Sequence, residues 1–368
     1  MPALDAVEWE ACLLEPVANP VAERALRKKL GMLPPPSRYF IESPWWTEAL
    51  IGFDLYHLPL RHVSPNLAEM ISLVVSQDGA CRYCFNITRG VLGVLGPSEA
   101  RIRRLEDDLL SADIPDRDRA ALQFARRVSR STPLVTAADA APLLALGWPE
   151  EGVRELVALV AVNIFFNRAC TLPALPHETA AQLFDRPLMR LFGPVLRPVL
   201  RPMLRAPRAR RPQALDAAAR QGPFAPFVNA LDGLPVAARL RTVLDACLRD
   251  SSLGPRATAL VFAVIARGLG CQVSEQEARG LLRADGMSDE DIDAALAHLT
   301  APTLSPLERA AAALARDSIW PQPAALQRQA RTIRPLFSRR QFIDLIGCAA
   351  LANACCRLSA AVDLARTR

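Results

Sequence analysis

EMISLVVSQDGACRYCFNITRG, residues 69–90, and ALVFAVIARGLGCQVSEQEARG, residues 259–280, read as one helical unit written twice. Extended without a gap, residues 69–126 align with residues 259–316 at a spacing of 190, and 14 of the 58 positions are identical. A composition this rich in Ala, Leu and Arg would give roughly five by chance, so duplication of a domain-sized unit is the reading. The identities pair Cys81 with Cys271, Arg89-Gly90 with Arg279-Gly280, Gly96 with Gly286, Ser98 with Ser288, and Arg119-Ala120-Ala121 with Arg309-Ala310-Ala311. With one residue of slippage, GVRELVALVAVNIFFNRAC (152–170) resembles QFIDLIGCAALANACCRL (341–358).

Each copy is punctuated as a string of helices. In the first, Pro65 starts an apolar stretch over 66–77, Asp78-Gly79-Ala80 is a turn, and a new helix opens at Cys81. Gly96-Pro97-Ser98-Glu99 stops one helix and caps the next, with Ser98 as the N-cap. Residues 118–128 carry Ala121, Leu122, Phe124, Ala125 and Val128 at core-facing spacing, and Trp148-Pro149-Glu150-Glu151 opens a last helix through Asn163. The second copy repeats the order with Gly286-Met287-Ser288-Asp289, then 307–316, then 342–358. Aromatics are only 6% and β-branched alternation is almost absent, so the expected class is all-α.

Composition removes other classes. With 51% apolar and 22% charged residues the chain is too apolar for disorder, and nine cysteines in 368 residues are too sparse for a disulfide scaffold. The net charge of +6 comes from arginine, since Lys28 and Lys29 are the sole lysines, and so mild an excess names no partner. The N-terminal residues lack the basic, apolar and small-residue order of a secretory signal, so cytoplasmic residence is expected. The longest charge-free apolar stretches, 156–167 and 345–356, reach twelve residues, short of the roughly 20 a spanning helix needs, so no transmembrane segment is expected.

Between the copies, residues 186–211 carry eight arginines, and proline returns every four or five positions. Such a run breaks any long helix. It reads as a connector with solvated arginines, in preference to a nucleic-acid or anionic-membrane site. The expected division is an N-terminal domain over 1–185, a Pro/Arg-rich linker over 186–222 and a second domain over 223–368.

The chemistry concentrates in GACRYCFNIT, residues 79–88. The turn at Gly79 delivers Cys81 to the start of a helix, where unpaired N–H groups and the helix dipole favour a thiolate. Cys84 follows on the same face, within reach of a disulfide, and Arg82 adds positive charge. One sulfur of such a pair attacks and the other resolves the sulfenate or mixed disulfide. Glu69, twelve residues before Cys81 among apolar neighbours, is expected to have a raised pKa suited to moving a proton at neutral pH. The alternative for Glu69 is the wet edge of an amphipathic helix.

The pattern of Glu69, eleven residues, then Cys81-x-x-Cys84, in a helical unit ending in NIFFNR, resembles the AhpD-like branch of the carboxymuconolactone decarboxylase family. The resemblance covers most of the chain, twice over. It implies an all-helical fold with a dithiol at a helix start, and alkyl-hydroperoxide peroxidase or disulfide reductase activity in a homo-oligomer. It carries the catalytic roles onto Cys81, Cys84 and Glu69, with Cys84 as the attacker, whereas the helix terminus favours Cys81. Arg82, Tyr83 and Thr88 are supporting candidates. It implies no bound cofactor and an external thiol or a lipoyl-type or thioredoxin-like redox donor protein. Where the family commonly has a histidine, four residues after the second cysteine, this chain has Thr88.

Threonine cannot act as a base near pH 7, and His57, His62, His177 and His298 all lie elsewhere in sequence, His62 being the one seven residues before Glu69. Slow peroxide turnover or another oxidised substrate follows. In the second copy Glu69 becomes Ala259, Cys84 becomes Ser274 and Thr88 becomes Ala278, which leaves Cys271 and a non-catalytic partner domain. Cys12, Cys170, Cys247, Cys355 and Cys356 read as small buried hydrophobes, and no second Cys-x-x-Cys completes a zinc site. Two other functions stay open: a lactone decarboxylase, and a non-catalytic redox-sensing or assembly protein. Nucleic acid is not an expected partner.

Overall fold

In the computed structural model the chain is built from helices, and the β structure among the described residues is an isolated bridge between Gln213 and Gly233. The structure describes residues 4, 9–55, 57–95, 99–108, 113–130, 132–176, 209, 211–299 and 301–366. The first half contributes α1 (Pro20–Leu30), α2 (Ser37–Phe40), α3 (Pro44–Phe53), α4 (Pro65–Asp78), α5 (Arg82–Leu95), α6 (Glu99–Asp107), α7 (Asp116–Ser129), α8 (Ala141–Ala145) and α9 (Glu150–Thr171). The second contributes α10 (Ala225–Ala230), α11 (Pro235–Asp250), α12 (Pro255–Leu269), α13 (Gln272–Ala284), α14 (Asp289–His298), α15 (Pro306–Asp317), α16 (Pro323–Ile333), α17 (Arg339–Arg357) and α18 (Ser359–Arg366).

The sequence signals set these boundaries. Pro65 takes the first turn of α4, and the Ser64 hydroxyl accepts from the Leu67 N–H at 3.2 Å. Ser305 with Glu308 and Ser338 with Gln341 form reciprocal capping boxes on α15 and α17. The expected cap at Ser288 accepts from the Asp291 N–H, whereas Gly96, Pro97 and Ser98 lie outside the described residues. α9 runs to Thr171, past Asn163, because Phe165, Asn167, Arg168 and Cys170 are all buried and no breaker stands before Pro173.

The spacing of the sequence repeat returns in the helices. α4 and α12, α5 and α13, α6 and α14, and α7 and α15 each start 190 residues apart, while α9 and α17 start 189 apart. Two buried carboxylates keep the same relation. Glu155 on α9 accepts the backbone N–H groups of Arg61, His62 and Val63 at 2.6–2.8 Å, pinning the chain before α4. Asp344 on α17 accepts the Ser252 N–H at 2.7 Å and its hydroxyl at 2.6 Å, pinning the chain before α12. Each fixes orphan donors on the run into a core helix.

The halves meet through like elements, α3 against α11 and α9 against α17. This is the pattern of an isologous contact folded into one chain. Trp45 and Trp46 lie in it. Trp45 Nε1 donates to Asp344 at 2.8 Å, Trp46 Nε1 donates to the Ile343 carbonyl at 3.3 Å, and Trp46 stacks on Phe40 with ring centroids 4.1 Å apart. Gly347 makes room, since a Cβ there would stand 2.4 Å from the Trp45 ring. Arg239 of α11 donates across the contact to the carbonyls of Gly52 and His57 at 3.3 and 3.0 Å.

One helical run, Arg339–Arg366, is long and apolar enough to span a membrane by length and composition, and 94% of its apolar window is buried inside the protein. Its surroundings are those of a core helix. Most of the Pro/Arg-rich linker, residues 186–208 and 210, lies outside the described residues, as does His177.

Candidate active site

α4 ends at Asp78 and α5 begins after three intervening residues; the chain reverses through Gly79 and through Ala80 at φ +50°. Gly79 is needed for close approach, because a Cβ there would meet Asn167 Nδ2 at 2.9 Å. Ala80 holds a left-handed conformation that costs an L-residue about 1 kcal/mol. The turn sets Cys81 just before α5, where its sulfur accepts the Cys84 N–H at 3.2 Å. A sulfur thus occupies the place of a capping oxygen, against the positive end of the helix.

The Cys81 and Cys84 sulfurs are 2.6 Å apart. A third sulfur joins them. Cys170, near the end of α9, brings its Sγ within 4.8 Å of both, making a triangle of thiols. Cys81 and Cys170 are buried and Cys84 is half-buried, so Cys84 faces solvent most directly. Burial works to raise the Cys81 pKa, but the thiols of Cys170 and Cys84 and the Cys84 backbone N–H outweigh it and hold Cys81 well below the usual thiol range. Burial pushes Cys84 and Cys170 well above that range. A negative charge on the trio is therefore held most readily at Cys81.

Positive groups stand behind this charge. Arg168 is buried two residues before Cys170 and donates to the Ile319 carbonyl at 2.8 Å. Burial and the Arg357 guanidinium bring it down to about 9, with Cys81 pulling the other way. Arg82 lies with its guanidinium 4.5 Å over the Trp9 ring and donates to the Leu175 and Ala174 carbonyls at 3.3 and 3.4 Å. Burial lowers its pKa, and Cys12 and Cys81 counter that by attraction. Tyr83 and Thr88 are both buried on α5.

Glu69 is buried, and burial followed by the Asp54 carboxylate pushes its pKa up to about 8. Its carboxyl makes no hydrogen bond among the described residues, and it sits about 14 Å of helix rise from the end of α4. A polar stripe fills that length. Ser72 and Ser76 follow Glu69 on the same face of α4, and both are buried. The Ser76 hydroxyl donates to Asn167 Oδ1 at 3.3 Å, and Asn167 Nδ2 donates to the Val75 carbonyl at 3.0 Å. Among the described residues, His57 pairs with Asp54 at 2.7 Å and His62 with Glu151 at 3.2 Å, and neither joins the sulfur cluster.

Sequence reasoning brought Cys81 and Cys84 together because their spacing is local, and missed Cys170 and Arg168. Both sit in the last two turns of α9, which are buried on all sides and where Asn167 and Thr171 also break an otherwise apolar run. That polar cluster was the available signal.

The second copy keeps the frame. Cys271 occupies the N-cap of α13 as Cys81 precedes α5, without a side-chain capping hydrogen bond, though the nearby Ser274 N–H helps hold its pKa down. The Cys356 thiol of α17 faces it, Ser274 stands in the place of Cys84, and Arg357 stands in the place of Arg168.

Comparison with known proteins adds the following. Residues 235–317 match the model of the carboxymuconolactone decarboxylase family. A crystal structure of the debrominase Bmp8, without ligand, is 21% identical, with a TM-score of 0.39 over 47% of this chain and 95% of that one. No protein of curated function matches the chain.

Proposed function

We propose that this chain, which belongs through residues 235–317 to the carboxymuconolactone decarboxylase family, is a thiol-dependent oxidoreductase of the AhpD-like kind working through Cys81 and Cys84. The observation that carries the reading is the pair of sulfurs 2.6 Å apart at a helix start. The helix starts repeated at a spacing of 190 support reading the first half as a second copy of the unit that the family model matches at 235–317. The same reading divides the chain into a dithiol domain over 1–185, a linker over 186–222 and a partner domain over 223–368.

In the cycle, Cys84 meets the substrate because it alone of the three thiols is half-exposed. Its proton passes to the neighbouring Cys81 sulfur, and the Cys84 thiolate attacks the peroxide oxygen, breaking the O–O bond. Cys84 becomes a sulfenic acid and the alkoxide leaves as an alcohol after taking a proton. The Cys81 sulfur then attacks Cys84, closing the disulfide as water departs. With a disulfide substrate the two exchanges release two thiols. An external dithiol of lipoyl or thioredoxin-like type returns the pair to the reduced state.

The test is steady-state reduction of tert-butyl hydroperoxide and of a small aromatic disulfide, with dihydrolipoamide as donor. The reading expects turnover by the native chain and none by Cys84→Ser. Turnover that survives in Cys84→Ser overturns it. One observation favours a redox sensor as second reading, namely that Cys81, the most readily ionised of the three thiols, is wholly buried. Stoichiometric oxidation without turnover selects the sensor.

A further inference from the structure

The dithiol reading uses two of the three sulfurs. Cys170 is left over, yet its Sγ lies within 4.8 Å of both others and its side chain is buried. It reaches the site from α9, so its position is set by the packing of a long core helix and not by the local turn.

The second copy repeats this pairing by other means. There the helix-capping Cys271 has lost its Cys-x-x-Cys partner, since Ser274 replaces it, but still faces a thiol from the long last helix, Cys356. Cys356 lies three residues before Ser359, which stands 189 residues after Cys170 and opens α18. The pairing of a capping cysteine with a long-helix cysteine thus occurs in both halves, while the Cys-x-x-Cys pair occurs in one.

Resting on the dithiol reading, we propose that Cys170 is a third redox thiol, which takes Cys81 from the Cys81–Cys84 disulfide. Cys170 sulfur attacks Cys81 sulfur, the Cys81–Cys84 bond breaks, a Cys81–Cys170 bond forms, and the proton of Cys170 passes to the departing Cys84 sulfur. Electrons balance within the protein and no further oxidant is consumed. The exchange moves the disulfide from a half-exposed pair to a buried pair and returns Cys84 as a free thiol at the entrance. Because thiol–disulfide exchange needs access to a sulfur, the inner disulfide is shielded from bulk reductants.

The test uses the full chain, Cys84→Ser and Cys170→Ser, each equilibrated in mixtures of reduced and oxidised glutathione. Thiols are trapped with N-ethylmaleimide at acidic pH, and linked peptides are mapped by mass spectrometry. The expected result is a Cys81–Cys170 link carrying most of the oxidised Cys81 in the native chain, with Cys84 alkylated. Cys84→Ser should form the same link directly, and Cys170→Ser should form Cys81–Cys84. Cys81–Cys84 in the native chain with no Cys81–Cys170 there or in Cys84→Ser overturns the proposal and leaves the dithiol reading standing. Failure of Cys170→Ser to form Cys81–Cys84 counts against the dithiol reading, while Cys84→Ser still decides the third thiol.

Discussion

The face of α4 that turns toward α9 carries Glu69, Ser72 and Ser76, whereas the corresponding positions of α12 carry Ala259, Phe262 and Ala266. All six are buried. The same two-helix frame holds a polar stripe beside the dithiol in one half and a plain apolar core in the other. Burying a carboxyl and two hydroxyls costs stability unless each finds a partner. Glu69 finds none among the described residues and stays protonated near neutrality instead. The second half shows that the frame does not require these groups, so their place in the first half points to chemistry and not to packing.

The largest expected effect separates the halves by activity. Cys81→Ser or Cys84→Ser should lower turnover at least about 100-fold, because one sulfur cannot close the disulfide, while Cys271→Ser should stay within about twofold. Equal losses from Cys271→Ser and Cys81→Ser in the hydroperoxide assay would break the comparison.

Glu69 gives the next effect. Its pKa is raised to about 8 by burial and Asp54, so the folded state holds the proton more tightly than the unfolded chain. Its contribution is whole below about pH 4.5 and is lost as pH rises toward 8, at about 1.4 kcal/mol per pH unit. Glu69→Gln removes this slope, since the amide does not titrate. Urea unfolding of both proteins from pH 5 to pH 8 should show the native chain losing stability relative to Glu69→Gln; parallel curves would mean that Glu69 is ionised and solvated.

Two turn substitutions are smaller. Gly79→Ala pushes a Cβ against Asn167 Nδ2 at 2.9 Å and should destabilise by about 1–3 kcal/mol. The second half tolerates Leu269 at this place because Cys356 there replaces Asn167. Ala80→Gly should stabilise by up to about 1 kcal/mol by relieving the left-handed alanine. The second half already has Gly270 there, at φ +68°. Thermal unfolding reads both, and an Ala80→Gly that destabilises would show that the two turns differ in more than the side chain.

Much of the frame was legible in the sequence because its signals are local. Pro65, Ser288 and the spacing of 190 located helix starts to within a residue or two, and Cys81-x-x-Cys84 located its own sulfurs. What depends on long-range packing was not legible. Cys170 reaches the site through the register of α9 against α4 and α5, and Trp45 and Trp46 find their role only against Gly347 and Asp344 of the other half. For Glu69 the sequence leaves two readings, a carboxyl with a raised pKa among apolar neighbours or the wet edge of the helix, and its burial and pKa of about 8 fit the first. Its distance from the sulfurs could not be read, because twelve residues of sequence spacing hide a full helix length.

The central claim is that Cys81 and Cys84 form a working redox pair, and the most direct test is its reduction potential, measured by thiol trapping across glutathione buffers in Cys170→Ser, where exchange onto Cys170 is absent. The account predicts one two-electron couple between about −120 and −270 mV, the span of known redox dithiols. A chain that forms no disulfide in these buffers, or one whose disulfide resists reduction below about −300 mV as structural disulfides do, would contradict it.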